Sequence, residues 1–226
     1  MQQEQEFYET ANVIVSFTYS YTQNQQRKEK EQPESEPTPS LTDIISSLQS
    51  LLRQILKNRT CKQVIQIPKL LRSLIELSRF KVGNHIGQKI DKQRIEVRKS
   101  SRLCLWNIQF SGDEQDQSEL VNVGFGRVMS ISYSTAGGVG EERYQEICNG
   151  LHNISWFLRE LHEGRNDYPS FQPLPLLVRR TEEQIEEEGA NEEIEAQMKN
   201  NAYQGRIKYW ANKAKAATLN RFIHSN

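Results

Sequence analysis

A leucine, one spacer, an asparagine and an isoleucine recur twice inside amphipathic helical patterns, at Leu105-Trp106-Asn107-Ile108 and Leu151-His152-Asn153-Ile154. The two asparagines are 46 residues apart, 153 less 107. A period of roughly 40 to 47 residues belongs to stacked units of two or three helices, each of which can bury its apolar face only against a neighbour. The recurrence therefore constrains the chain to a stack of helices, an architecture suited to holding a partner.

The segments around it carry the same helical period. Ser40-Leu-Thr-Asp43 supplies N-cap residues for a helix with apolar positions at Leu41, Ile44, Ile45, Leu48, Leu51, Leu52, Ile55 and Leu56. A second helix starts near Lys62 or at Pro68 and presents Leu70, Leu71, Leu74, Ile75 and Leu77 before a break at Gly83 to Gly87. A third runs from about Asp91 to Phe110, with Ile95, Leu103, Trp106 and Phe110 among its inward positions, and Gly112 stops it. Short helical pieces follow over Gln117 to Val123 and from Phe125 onward, separated by Gly124. After the glycine-rich loop from Ser134 to Gly140, another helix is predicted from Glu141 to about His162.

The two ends read differently. From Val13 to Tyr21 the odd positions are Val13, Val15, Phe17, Tyr19 and Tyr21, a period of two that predicts a strand within residues 1–21. Phe7, Tyr8, Ala11, Ile14 and Val15 also fit a helical stripe, so both readings stay open. Residues 22–40 hold no aliphatic residue and end in Pro33-Glu-Ser-Glu-Pro37-Thr-Pro39, the composition of a disordered linker. Residues 166–178 read as an extended proline-rich strap that docks through Phe171, Leu174, Leu176 and Leu177. Beyond it, an acidic run (Glu182 to Glu195) and a basic segment (Arg206 to Arg221) predict a C-terminal helical hairpin over residues 179–226, with most charges in water.

Composition limits the function classes. Lys plus Arg and Asp plus Glu are 29 each, so no net charge draws the chain to nucleic acid or anionic lipid. No stretch approaches the roughly 18 consecutive apolar residues of a membrane span, and the N-terminus lacks a secretory layout. Three cysteines, Cys61, Cys104 and Cys148, each within or beside an apolar segment, suit free thiols in a reducing compartment. The expectation is a cytoplasmic or nuclear protein with no disulfide.

The run from Val97 to Ile131, with its helix VRKSSRLCLWNI, polar turn, short piece SELVNVG and new helix FGRVMSI, resembles an armadillo repeat. Asn107 and Gly124 occupy the places of that family's third-helix asparagine and the glycine that follows it, and Asn153 marks a second third helix. The resemblance covers about residues 41–165 and implies an all-α, short, right-handed armadillo-like solenoid. It further implies that Asn107 and Asn153 line a groove and hydrogen-bond an extended peptide, since an amide offers both donor and acceptor to one peptide unit. Arg102, Trp106 and Trp156 would flank them. Where family members that grip basic peptides carry a tryptophan four residues before the asparagine, this chain has Leu103 and Asn149, which argues against that ligand class.

Other chemistry finds little footing. Cys148 and His152 form an i, i+4 pair, and His162 lies further along, but four zinc ligands are not assembled and no metal or cofactor is expected. No serine sits in a nucleophile turn, and Ala136-Gly137-Gly138-Val139-Gly140 lacks the lysine and hydroxyl of a phosphate-binding loop. The basic cluster Lys89, Lys92, Arg94, Arg98, Lys99 and Arg102 permits weak nucleic-acid binding as one alternative, although Asp91 and Glu96 interrupt it. The expected function is a non-enzymatic scaffold for a protein or peptide, with a structural subunit of a larger assembly as the other alternative.

Overall fold

The structure, a computed structural model, describes residues 2–28, 40–58, 61–67, 69–80, 87–134, 144–202 and 204–219. Among these residues the chain is all-α, with eleven helices and one isolated antiparallel bridge. It divides into two compact units, Met1–Phe110 and Ser111–Asn226, and the division falls inside the 41–165 stretch read from the sequence as one domain. Residues 29–39 of the expected linker, 81–86 of the expected break and 135–140 of the glycine-rich loop lie outside the described residues. No helix among the described residues is long and apolar enough to cross a membrane.

The first unit begins with α1 (Gln2–Lys28), which corrects the strand expected over Val13 to Tyr21. The helical stripe prevails because it buries more: Phe7, Ala11, Ile14 and Phe17 are all within the core, whereas Val13 and Tyr19 of the alternating set are exposed. A lone strand here would also leave its backbone groups without a ladder, and the helix satisfies them internally. α1 continues through Thr22 to Lys28, so the first part of the expected linker is helical.

α1 packs on α2 (Leu41–Asn58) and α4 (Leu70–Leu77). Ser40 and Asp43 close the start of α2 reciprocally: Asp43 N donates to Ser40 Oγ at 3.2 Å, and Ser40 N donates to Asp43 Oδ2 at 3.0 Å. Ile44, Leu48, Leu51 and Ile55 face inward as the pattern predicts, while Leu56 is exposed. The second predicted helix is split into α3 (Cys61–Gln66) and α4, with Lys69 between them at φ 71°. Phe80, just past α4, packs its ring against Phe17 and Tyr21 of α1 at centroid distances of 5.8 and 4.7 Å.

α5 (Gln88–Ser111) completes the unit. Three of its basic residues, Arg94, Arg98 and Arg102, are buried. Arg102 Nη2 donates to Ser78 O and Arg98 Nη1 to Phe80 O, each at 3.1 Å, so one guanidinium caps the carbonyl end of α4 and the other holds the turn after it.

The second unit opens with α6 (Glu114–Asn122), whose start is a capping box between Asp113 and Asp116. Gly124, at φ 90°, turns the chain into α7 (Phe125–Tyr133). α8 (Tyr144–Glu163) packs on α7, where Gly150 allows the close approach: a Cβ there would lie 1.9 Å from Ser132 Oγ. Phe125 and Phe157 meet edge to face at 4.9 Å in the core beneath.

The strap is extended only to Leu174, because Pro175 starts α9 (Pro175–Glu187). It docks through Phe171, which is buried and pairs with Arg165 in the antiparallel bridge, and through Leu174 N donating to Leu161 O at 2.8 Å. Leu176, expected to dock, is 77% exposed, as is 88% of Tyr168. On α9, Gln184 joins the α6–α7 corner with one amide: its Nε2 donates to Val121 O at 2.8 Å and its Oε1 accepts from Gly126 N at 3.2 Å.

The expected C-terminal hairpin is three helices, α9, α10 (Ala190–Gln197) and α11 (Arg206–Leu219). α11 packs on acidic α10, yet its most extensive contact is with α8. Ile207, Ala211, Ala214 and Ala217 are its buried residues, and the three alanines let the backbones come close. A solvated hairpin would leave that stripe in water.

Candidate binding face

α8 is the helix that carries the second L-x-N-I segment, and its two faces differ sharply. Ile147, Leu151, Ile154, Phe157, Leu158 and Leu161 are buried inward. Gln145, Asn149, His152, Asn153 and Trp156 are half-buried on the other side, and Arg159 is exposed one turn on. Asn153 is thus held at the rim while its neighbours Leu151 and Ile154 anchor the helix, as the pattern requires.

Gln145 Nε2 donates to Asn149 Oδ1 at 2.8 Å, whereas the donors of Asn153 and Trp156 are weakly engaged. Asn153 Nδ2 approaches only the thioether Sδ of Met129, at 4.0 Å, and Asn153 Oδ1 lies 3.1 Å from His152 Nδ1. Trp156 Nε1, buried at the atom, has no hydrogen-bond acceptor among the described residues. A thioether is a poor acceptor, and the buried Trp156 N–H has no exchange for the water it left.

α11 runs beside α8 in the same direction, since Arg206 neighbours Cys148 and Trp210 neighbours His152, both pairs advancing together. The His152 and Trp210 rings meet edge to face at 4.4 Å, and Trp210 meets Tyr209 edge to face at 5.0 Å. Arg159 lies over the Trp156 ring with its guanidinium carbon 4.0 Å from the centroid, and Lys213 Nζ lies 5.8 Å from the centroid of Tyr209. His152, Trp156 and Arg159 have the same spacing on α8 as Arg206, Trp210 and Lys213 on α11. The i, i+4, i+7 spacing puts each trio on one stripe of its helix.

Beneath the face, burial pushes the Cys148 thiol above its ordinary pKa, with the charge of Arg206 opposing the shift. Cys104 and Cys148 are both buried free thiols. Among the described residues no group of three or more His, Cys, Asp or Glu side chains gathers to hold a metal. The other side of α11 faces α10 across a cleft of about 710 Å³ lined by Glu192, Glu195, Lys199, Lys208, Asn212 and Lys215. There the hydrogen bond and charge of Lys215, at 2.7 Å, hold the Glu195 carboxyl below the usual range.

The first unit places its expected site residues otherwise. Arg102 is 5% exposed and caps α4, so it does not line an open groove. Asn107 is buried, and its Nδ2 donates to Leu103 O at 2.8 Å, within its own helix. Trp106 is half-buried with its ring 5.7 Å from Phe110, which is half exposed. The burial of Arg94, Arg98 and Arg102 also removes half of the six-residue basic cluster from any phosphate backbone.

The expected residues Asn153 and Trp156 share one face with Arg159, and Trp210 of α11, whose pairing with Tyr209 reads from the sequence as packing, meets that face at His152. The 4, 3 spacing shared by His152, Trp156 and Arg159 and by Arg206, Trp210 and Lys213 was the signal in the sequence for Arg159 and Trp210. No family model, curated protein or solved structure matches the chain.

Proposed function

We propose that the protein is a non-enzymatic binding scaffold, a short armadillo-like right-handed solenoid, in which the outward face of α8 holds an extended peptide or a partner helix. The observation that carries this reading is the pair Asn153 and Trp156: two donors one turn apart, one given only a thioether and the other no acceptor. For the buried Trp156 N–H that state costs on the order of 1–3 kcal/mol, which a peptide carbonyl reaching it would offset. The architecture is supported by the succession of two helices of nine residues, α6 and α7, and one of 20, α8, with Gly124 at the first corner. Buried Leu105, Ile108, Leu151 and Ile154 support it equally. The non-enzymatic reading rests on the lack of a nucleophile motif in the sequence, and a cytoplasmic or nuclear setting suits the buried thiols.

Selection of displayed random peptides on the full chain tests this. Binders should lose about tenfold in affinity on Trp156→Phe, which keeps an aromatic ring but removes the N–H, and on Asn153→Ala. Unchanged affinity in both folded variants would exclude this face. A second reading, a subunit of a larger assembly, is favoured by the exposure of Tyr168 in the strap and Leu176 in the first turn of α9. Sedimentation of the isolated chain separates them: a well-behaved monomer supports the scaffold, and aggregation supports the subunit.

A further inference from the structure

We infer that the basic face of α2 to α4 in one copy of the chain docks on the acidic corner of α9 and α10 in a second copy. The surfaces differ from the outward face of α8, so this inference stands apart from the scaffold reading. Charge divides between the two units: residues 1–110 hold 17 Lys and Arg against 11 Asp and Glu, and residues 111–226 hold 12 against 18. The first unit thus carries a net charge of +6 and the second of −6, and a chain neutral as a whole is complementary to its own copy. The positive charge is concentrated from Ile44 to Phe80, which contain seven basic residues and one acid, Glu76, one turn beyond Arg72. Arg53, Lys57, Lys62, Lys69 and Arg72 of this run are exposed, and Arg53, Lys57, Lys69 and Arg72 have no carboxylate partner among the described residues. Helix stability accounts for Lys57, which lies in the last turn of α2, at its negative end. It does not account for Lys69 and Arg72, which stand at the positive end of α4, where no side chain caps the helix and the first turn holds no acid. Leu56, 62% exposed beside Lys57 and one turn past Arg53, gives the face an apolar point.

The acidic corner supplies what that face lacks. From Thr181 to Met198 there are eight glutamates and no lysine or arginine. The fold answers some of them: Arg179 meets Glu183 at 3.2 Å, Arg127 meets Glu187 and Glu188, and Lys215 meets Glu195 at 2.7 Å. Glu182 faces His162, Glu193 accepts from Gln197, and Glu192 shares the cleft with Lys199 and Lys208. Exposed Glu186 has no cation partner among the described residues. Glu183, itself in an exposed ion pair of little worth, shares one stripe of α9 with Glu186 and with exposed Leu176 two turns earlier. Each face thus offers several charges of one sign and one exposed leucine, the make-up of a reversible, salt-sensitive contact. A nucleic acid fits the basic face less well. Its phosphates would be repelled by the second unit of the same chain, and Phe80, the one aromatic residue of the basic run, is buried away from base stacking.

Sedimentation velocity of the full chain over a concentration series, in about 0.01 M and about 1 M salt, tests this. At low salt the sedimentation coefficient should rise with concentration, and at high salt it should return to that of the monomer. The double variant Arg53→Glu with Lys57→Glu should weaken self-association at least about tenfold, and so should Glu183→Lys with Glu186→Lys. Mixing the two double variants should restore association, because each keeps the face that the other has lost. All four positions are exposed, so the variants keep the fold, which circular dichroism verifies. A monomer at every concentration in low salt, the outcome of neutralisation within one chain, overturns the inference. So does association that neither reversal weakens, or that the mixture fails to restore. A parent chain that stays monomeric yet binds a short DNA duplex assigns the basic face to phosphates and overturns it as well. Peptide binding at α8 should be the same in both double variants, so the scaffold reading and this one fail separately.

Discussion

Arg165 holds Glu160 in a two-pronged ion pair, Nε to Oε1 at 2.9 Å and Nη2 to Oε2 at 2.6 Å, with both side chains buried. The same guanidinium donates from Nη1 to Gly112 O at 2.9 Å and lies 4.9 Å from the centroid of the Phe171 ring. One side chain thus joins the end of α8, the turn before α6 and the strap. Removing one partner of such a pair leaves a buried charge with nothing to answer it. Arg165→Met should destabilise the second unit by about 3–5 kcal/mol in denaturant unfolding, and adding Glu160→Gln to it should restore part of the loss. A change below about 1 kcal/mol would show that water already reaches the pair.

Gly150 sets the distance between α7 and α8. A methyl group there would sit 1.9 Å from Ser132 Oγ, 3.1 Å from its Cβ and 3.2 Å from the Tyr133 ring. Gly150→Ala should cost about 1–3 kcal/mol through overpacking, and Ser132→Gly in the same chain should relieve most of it. Thermal unfolding of the two variants and the parent decides this, and a double variant no better than the single would place the strain elsewhere.

α1 distinguishes two faces that an alternating pattern would assign the other way round. Ile14 is fully buried and Val13 is 38% exposed. Ile14→Ala should cost about 2–5 kcal/mol, and Val13→Ala should stay within about 0.5 kcal/mol. Equal costs at the two positions would contradict the helical packing of α1 on α2 and α4.

Alkaline pH should weaken both units. Burial pushes the Cys104 thiol and the Tyr133 phenol well above their ordinary pKa values, the second against a hydrogen bond with Ser130 that lowers it. Both are acids that stay neutral in the folded chain, so the unfolded chain releases its protons first as pH rises through about 8.5 for the thiol and about 10 for the phenol. Their contribution is complete below those values and declines above them. Denaturant midpoints of the parent should therefore fall between pH 8 and pH 11 more steeply than those of Cys104→Ala with Tyr133→Phe, and parallel curves would refute the assignment.

Much of the helical layout was legible in residue order. The Ser40–Asp43 cap, the α2 stripe, the corner at Gly124 and the inward Leu and Ile of both L-x-N-I segments all depend on neighbours three or four residues away, which sequence displays directly. The strand reading of α1 failed for a related reason. Val13 to Tyr21 satisfies two periods at once, and only the core offered by α2 and α4 chooses between them.

The candidate site divides along the same line. By itself the sequence marked the helices from α2 onward and put Asn153 and Trp156 on one stripe of α8, because a helix's period is a property of its own backbone. Only the tertiary structure decided that Arg102 is a cap on α4, that Asn107 bonds its own helix, and that α11 lies along α8 to set Trp210 against His152. Those outcomes depend on which helices meet, and residues far apart in sequence acquire that relation through the burial of stripes such as Ile207, Ala211 and Ala214.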